Sequence, residues 1–353
     1  MRFRHFWQKL FFKRFCNFSR LSSVTLTIPS LLPLEEYAKQ LFHTRSSELP
    51  ETNADYWARY THLLSSLREH VYPYVNAGLA CLSKSPGIYT DHGGAHFDEV
   101  VRYAGLLLGL PKNTEVGLTP YEIYLLLCGI RLHDAGNIDG REDHEKQVSS
   151  MLDKYGGSIK YDTAELRLIS QIAEAHGGQT LAGNKDTIGQ LPPDGLAIAS
   201  TTCRPRQVAA LVRFADEICE HKSRAATHHI ANSTLPNDNK LFHYYAASIA
   251  GATPTDDRCF KLRLSLEEKY LSESYQLPPN KDGVRVVKYL VDEVLERISK
   301  LDRERRYCNQ FLDQKLQTTE LSIQIEIIGA QQASGNFPRA IREYAYRIPS
   351  KNG

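Results

Sequence analysis

The sequence predicts a mainly α protein: a helical bundle with a small C-terminal α+β appendage. Three observations predict it. Apolar residues recur at helical spacing from about residue 54 to 232. The period changes to two in short runs after Asn232. One long amphipathic stretch, 284–316, separates two of those runs.

The elements follow in order. Helical spacing begins at Glu35 and continues to about Leu82, where Thr52-Asn53 followed by Tyr56, Tyr60, Leu63, Leu67 and Val71 marks one helix. Ser83–Asp91 (SKSPGIYTD) is rich in turn residues. His96–Leu110 reads as a helix with Val100, Tyr103, Ala104, Leu107 and Leu108 on one side. Leu118–His133 is another, and Thr119-Pro120-Tyr121-Glu122 gives it a capping box with Pro at the first helical position. Asp139-Gly140-Arg141 is a turn, and helices are expected again over 143–155, 163–176 and 206–220. Beyond Asn232, Tyr244–Ala252, Cys259–Leu266 (CFKLRLSL) and Leu321–Ile328 (LSIQIEII) read as strands. Val287, Leu290, Val291, Val294, Leu295, Ile298 and Leu301 carry the long helix 284–316. The expected organisation is a basic, disordered arm over 1–34, an all-helical domain over 35–235, an α+β appendage over 236–330 with three strands and one long helix, and a loose tail over 331–353.

Composition narrows the function classes. The 353 residues carry 43 Lys and Arg against 41 Asp and Glu. Six of the basic residues fall within 1–34, which holds no acid, so the remainder has 37 basic against 41 acidic residues. Nucleic acid is therefore not an expected partner of the body. The head FRHFWQKLFFKRF is too broken by charge for a signal peptide; a start upstream of the domain, a basic arm and a transit-like peptide are its three readings. No uncharged apolar run approaches the roughly 20 residues that span a bilayer. Seven cysteines (Cys16, Cys81, Cys128, Cys203, Cys219, Cys259, Cys308) lie at least sixteen positions apart. That spacing excludes CxxC motifs and points to reduced thiols in a cytoplasmic protein.

Several polar residues interrupt apolar stripes. His96 shares one with Val100, Tyr103 and Leu107. His133 and Asp134 end YLLLCGIRL. His144 lies four before Val148, His176 follows Leu168, Ile169 and Ile172, and Asp216 follows Val208 and Val212. Burying an unpaired carboxylate or imidazolium costs several kcal/mol, so each position needs a partner. Singly, each is most simply a satisfied core residue. Together, a divalent cation satisfies them all, because it takes imidazole nitrogens and carboxylate oxygens from several helices.

The order His96, His133-Asp134, His176, Asp216 resembles the H…HD…D signature of the HD superfamily of metal-dependent phosphohydrolases. The contexts HFDEVVRYAGLLLG, LLLCGIRLHDAGN and LVRFADEICE carry the likeness. YTDHGGAHFDEV and REDHEKQ resemble the HD-type domains of prokaryotic conflict systems. The similarity spans about residues 54–290. It implies that His96, His133, Asp134 and Asp216 hold a first metal, with His144 and His176 completing a second across a bridging Asp134. His144 lies closer to the doublet than in many binuclear relatives. One or two ions are implied, with Mn, Fe, Co, Ni or Zn suiting the donors better than Mg. Arg141 and Lys146 are the expected phosphate ligands, followed by Arg213 and Arg224. Cyclic-nucleotide phosphodiesterases, distant relatives, place a His four positions before their first ligand as the acid that protonates the leaving oxygen. The resemblance gives that role to His92. The other histidines (His5, His43, His62, His70, His221, His228, His229, His243) are assigned to surface or core.

The expected function is hydrolysis of a phosphomono- or phosphodiester, a nucleotide or a nucleotide-derived signal. The rival is a nucleotide-sensing module that relays to a partner protein through the appendage with little turnover. A purely structural helical protein is the third class, and metal content separates it from the other two.

Overall fold

The computed structural model describes residues 31–84, 87–156, 163–279 and 283–329, and the backbone of 342–348. The chain divides into Met1–Leu31 and Leu32–Gly353. The basic arm expected over 1–34 therefore lies almost wholly outside the described residues.

Three helices open the described chain: α1 (Pro33–Thr44), α2 (Tyr56–His70) and α3 (Tyr72–Leu82). Pro33 starts α1 where its missing N–H costs nothing, and the Glu35 carboxylate accepts from the Leu32 N–H at 3.0 Å. Asp55 caps α2 by accepting from the Ala58 N–H at 2.8 Å. After α4 (Gly94–Leu107) comes α5 (Pro120–Leu132), the hub of the bundle. Its capping box forms as the sequence predicts, with Thr119 Oγ1 accepting from the Glu122 N–H and Glu122 accepting from the Thr119 N–H. Every residue of α5 is buried. Short 3-10 turns, Ala135–Asp139 and His144–Gln147, lead into α6 (Val148–Tyr155) and α7 (Thr163–Glu174), and after a small hairpin of β1 (Leu196–Ile198) and β2 (Thr201–Cys203) the chain enters α8 (Pro205–Glu217). A side chain on Gly129 would crowd Ile172 at 3.0 Å and Val212 at 3.2 Å, so this glycine is what lets α7 and α8 close onto α5.

One charge lies wholly inside that packing. Arg131 is fully buried, and it meets Glu35 of α1 at 2.8 Å, Asp98 of α4 at 2.5 Å and the Tyr60 hydroxyl of α2 at 3.0 Å. An unpaired guanidinium there would cost several kcal/mol, so this network fixes how α1, α2 and α4 meet α5.

The chain continues through α9 (Thr227–Ala231) and α10 (Asn237–Ala247) into a sheet of β3 (Ile249–Pro254), β4 (Cys259–Glu267), β7 (Glu320–Ile328) and β8 (Arg342–Ile348), in the order β3-β4-β7-β8. β4 and β7 are parallel and the outer pairs antiparallel. A parallel pair needs a long crossover. Here it comprises α11 (Glu268–Leu271), the hairpin β5 (Ser274–Gln276) with β6 (Val287–Tyr289), and α12 (Leu290–Asn309). In β4, Phe260, Leu262, Leu264 and Leu266 are buried while Lys261, Arg263 and Glu267 are exposed, the period-two pattern its sequence shows. α12 is tied to α8 by a bidentate Arg213–Glu304 pair at 2.7 and 2.9 Å and by Lys300–Glu217 at 2.7 Å.

The fold class is as the sequence predicts, but several elements differ. β1 and β2 fall inside the span 35–235 expected to be all-helical, β5 and β6 add to the three strands expected, and the helix expected to reach 316 ends at Asn309. Tyr244–Ala252, expected as a strand, is the end of α10 followed by β3, because a short apolar run fits either period. The long helix starts at Leu290, since the β-branched run before it pairs with β5 instead (Val287 opposite Gln276). In the segment expected to be a loose tail, residues 342–348 form β8 against β7. Among the described residues, no helix is long and apolar enough to cross a membrane.

Candidate metal centre

The polar residues that interrupt the apolar stripes converge at the ends of four α-helices and at a 3-10 turn. His96 sits in the first turn of α4, His133 caps the C-terminus of α5, and Asp134 follows where the helix breaks into the 3-10 turn. His144 opens the next 3-10 turn, His176 lies two residues past α7, and Asp216 is in the last turn of α8. The loops are held locally. Asn76 of α3 donates to Asp91 Oδ1 at 2.7 Å and accepts from the His92 N–H at 3.0 Å, fixing the entry to α4. Gly136 has no room for a side chain, because a Cβ there would fall on the His144 carbonyl. This close approach brings the His144 turn against the His133-Asp134 corner.

Two triads result. The donor atoms of His96, His133 and Asp216 lie within 4.8 Å of one another, as do those of Asp134, His144 and His176. Asp134 joins them. Its Oδ2 is 3.7 Å from both His96 Nε2 and His133 Nε2, while its Oδ1 is 2.9 Å from His144 Nε2 and 3.6 Å from His176 Nε2. Asp216 Oδ1 lies 3.2 Å from His96 Nε2 and 3.5 Å from His133 Nε2. Donors about 2.0–2.2 Å from one cation stand roughly 3–3.6 Å apart along a tetrahedral or octahedral edge, close to these separations.

The tautomers agree with that use. The Nδ1 atoms of His133, His144 and His176 donate to the carbonyls of Ile130, Arg141 and Ala173, each three residues back, at 2.7, 2.9 and 2.7 Å. His96 Nδ1 faces Cys219 Sγ at 3.7 Å. A proton on Nδ1 leaves Nε2 as a lone pair. The Nε2 atoms of His96, His133 and His144 are fully buried and have no hydrogen-bond partner. Orphaned nitrogens of this kind are costly unless something outside the protein satisfies them, and a divalent cation matches both donor type and geometry.

The same convergence couples the charges. Burial alone would push His133 down, but the facing Asp134 and Asp216 carboxylates raise it to about 8, and a cation taking the Nε2 lone pair would displace that proton. Burial would raise Asp134 and Asp216; the His133 charge and the neighbouring imidazoles outweigh it and keep both well below the usual carboxylate range. His96 and His176 are lowered, chiefly by burial.

The remaining sequence-predicted residues separate into two groups. His92 precedes α4 in the loop, 4.0 Å from Asp134 Oδ2. Its Nδ1 donates to the Thr90 carbonyl at 2.6 Å and its Nε2 accepts from Arg224 Nη2 at 3.2 Å. Burial, with the Arg224 charge adding to it, holds His92 well below its ordinary value. Arg141 Nη1 is 3.5 Å from Asp134 Oδ1. Lys146, by contrast, is bound to Asp143 at 2.7 Å and lines a different cavity from that of His92 and Arg141. Arg213 is spent on Glu304. His243, assigned to surface or core, is buried and bridges the Ala226 N–H and the Ile88 carbonyl. Cys219 was not singled out by the sequence reading; its position three residues after Asp216, close to one helical turn, is the signal that links it to the site.

Searches of the curated proteins and of the solved structures return no match to this chain. The family model HD-CE matches residues 87–300, more than half of the chain and a span that contains all of His92, His96, His133, Asp134, His144, His176 and Asp216. With an HD-type domain matched over the helices that bring these His and Asp side chains together, the chain belongs to the HD-CE family.

Proposed function

We propose that this protein is a divalent-metal-dependent phosphohydrolase that cleaves a phosphomono- or phosphodiester of a nucleotide or nucleotide-derived signal. The carrying observation is the shared carboxylate: Asp134 presents one oxygen to each of two triads whose imidazole Nε2 atoms are aimed inward. His96, His133, Asp216 and Asp134 Oδ2 would hold one ion; Asp134 Oδ1, His144 and His176 would hold the other. Bound divalent ions supply Lewis-acid charge that lowers the pKa of a water nucleophile and offsets the charge developing on phosphoryl oxygens.

The chain's own residues do the rest. Arg141, beside Asp134, binds phosphoryl oxygens through its fork of donors. Lys146 adds charge from outside, its ammonium resting on Asp143. His92 is placed to act on the leaving oxygen. Nε2 now accepts from Arg224, so to donate a proton there His92 must give up that hydrogen bond and first take up a proton from water. An incoming phosphoester offers Arg224 a replacement acceptor, and its negative charge favours the imidazolium. The wall of buried aliphatic and aromatic side chains around α5 excludes water from the far side of the centre.

The test is to purify the full chain, measure bound metals, and assay nucleotides and nitrophenyl phosphate with Mn added. Metal binding together with turnover supports the reading; a chain that takes up no metal sinks it. The sensing alternative is favoured by one observation. Val286, Val287, Tyr289, Val291 and Leu295 stand exposed on β6 and the start of α12, the kind of apolar strip that marks an interaction surface. Metal and nucleotide binding without turnover would favour that reading.

A further inference from the structure

A cavity of about 460 Å³ lies against the Asp134 face of the centre, with His92 and Arg141 in its wall. Its charge is unbalanced. Five cations line it against two carboxylates, Glu220 and Asp238. Two of the five are spent: Arg285 on Asp238 at 2.7 Å, and Arg297 on Glu293 at 2.7 Å. Among the described residues, the Arg224 and Lys84 side chains form no salt bridge, although the Lys84 backbone N–H donates to the Glu142 carboxylate at 2.9 Å and the Lys84 charge acts on Asp143.

Arg224 is also held still. Its Nε donates to the Asp91 carbonyl at 3.1 Å, its Nη1 to the Cys219 carbonyl at 3.3 Å, and its Nη2 to His92 Nε2 at 3.2 Å. Two of these partners are backbone carbonyls and the third is an imidazole nitrogen that accepts. A guanidinium fixed by these acceptors, part-buried and with no salt bridge, is an anion site already organised for its ligand. Because Arg224 reaches His92 and His92 reaches Asp134, this anion site adjoins the phosphoryl position without coinciding with it.

Other lining residues have another character. They are Phe242 and Asn239 of α10, Tyr89 and Ile88 of the loop before α4, and Pro278 of the β5–β6 hairpin. Asn239 Oδ1 accepts from the Ile88 N–H at 3.2 Å, which leaves its NH2 group for a ligand. Fixed positive charge and aromatic rings lining one cavity fit a molecule with several charges and a planar ring.

We propose that this cavity holds the part of the substrate that is not transferred, and that it takes a nucleotide carrying two or more phosphoryl groups. The charges beyond the reacting one rest on Arg224 and Lys84, and the base lies against Phe242 and Tyr89. The proposal rests on reading the Asp134 centre as the phosphoryl position. It also gives the C-terminal region a second role, because Phe242 and Pro278 both come from beyond Asn232.

Calorimetry on the Mn-saturated full chain tests it. The probes are non-hydrolysable nucleoside triphosphates with each of the four bases, inorganic tripolyphosphate, and the free nucleosides. At least one nucleoside triphosphate should bind about tenfold or more tighter than tripolyphosphate, and the nucleosides should bind weakest. Phe242→Ala should weaken the nucleotide about tenfold, the usual scale for losing one base–aromatic stack, and leave tripolyphosphate unchanged. Phe242→Tyr should restore it. Lys84→Ala, at an exposed position, should weaken nucleotide and tripolyphosphate alike. Nucleotides that bind no tighter than tripolyphosphate, or that ignore Phe242→Ala, would overturn the proposal. Hydrolysis of nitrophenyl phosphate without nucleotide binding would keep the hydrolase and remove the subsite. The expected binding pattern with no turnover of any ester would keep the subsite and remove the hydrolase.

Discussion

Asp134→Asn is the sharpest perturbation of the centre, because it keeps the shape of the side chain and removes its charge. The two triads do not suffer equally. The first retains His96, His133 and Asp216, a three-donor set with its own carboxylate. The second retains only His144 and His176, two neutral imidazoles whose separation from Asp134 Oδ1 was 2.9 and 3.6 Å. Loss of a group that merely orients a ligand costs about 10–100-fold in metal affinity, so loss of a direct carboxylate should cost the second ion about 100-fold or more, roughly 2.7 kcal/mol. At metal concentrations that saturate the native protein, the same free energy disappears from its stability. For a chain of this size that lowers the melting temperature by roughly 3–5 °C. The assay is metal content by mass spectrometry after gel filtration, with melting curves in Mn and in chelator. One ion retained weakly, a melt lowered more in Mn than in chelator, and activity abolished are expected. Two equivalents of metal retained, or full activity, would refute the shared-carboxylate reasoning.

His144→Ala and His176→Ala should each release the second ion and keep most of the first, read as a fall from two equivalents of metal towards one. His92→Ala should keep its metals yet lose activity by roughly a hundredfold on substrates with poor leaving groups, and far less on nitrophenyl phosphate, whose leaving group needs no proton; equal losses would make His92 a positioning residue. Burial raises the Glu165 carboxyl from 4.5 to about 7, with Arg59 only partly offsetting it. The folded state therefore holds a proton that the unfolded chain has released between those values, and stability should fall as pH rises through that window, by up to about 3 kcal/mol. Glu165→Gln should flatten that part of the pH profile in denaturant unfolding and stabilise the protein near pH 8; an unchanged slope would show that Glu165 is ionised throughout.

How much of this was legible in the sequence depends on the range over which each feature is set. The donor residues were legible because each breaks a local pattern: a His or Asp on an apolar stripe is visible within one or two helical turns. The capping box of α5 is equally local. Charge assignments were less so. Lys146 is two residues from His144, yet the 3-10 turn carries its ammonium away to Asp143. Arg224 looked remote from His92 in sequence, yet the chain after α8 turns back and sets its guanidinium on His92. Cavity walls were not legible at all, since Phe242 and Pro278 lie about 150 and 190 residues beyond His92 and nothing in their surroundings marks them. The strand ending at residue 348 was legible: Tyr344, Tyr346 and Ile348 alternate with period two in REYAYRI and pair opposite Ile325, Ile323 and Leu321 of β7.

The imidazoles show how a local rule produces a precise centre, and where it gives out. His133, His144 and His176 each occupy a helix end or a 3-10 turn, where the carbonyl three residues back points along the chain and is within reach of Nδ1. The element that carries the ligand thus also sets its tautomer and aims its Nε2. His96 cannot use that device. Its carbonyl three residues back, Gly93, already accepts from the His96 backbone N–H at 2.9 Å as α4 begins. The ring turns instead to Cys219 Sγ, a weaker acceptor than a carbonyl. The first triad is consequently oriented by the end of α8, which supplies both Asp216 as a donor and Cys219 as the support for His96. Since α8 is the helix clamped by Glu304 and Lys300 of α12, Asp216 and the support of His96 depend on the C-terminal region through ion pairs. His144 and His176 are instead oriented by local backbone carbonyls, joined at His144 Nδ1 by Glu145 at 3.1 Å. Weakening the clamp, as in Glu304→Gln, should therefore loosen metal at the first triad before the second.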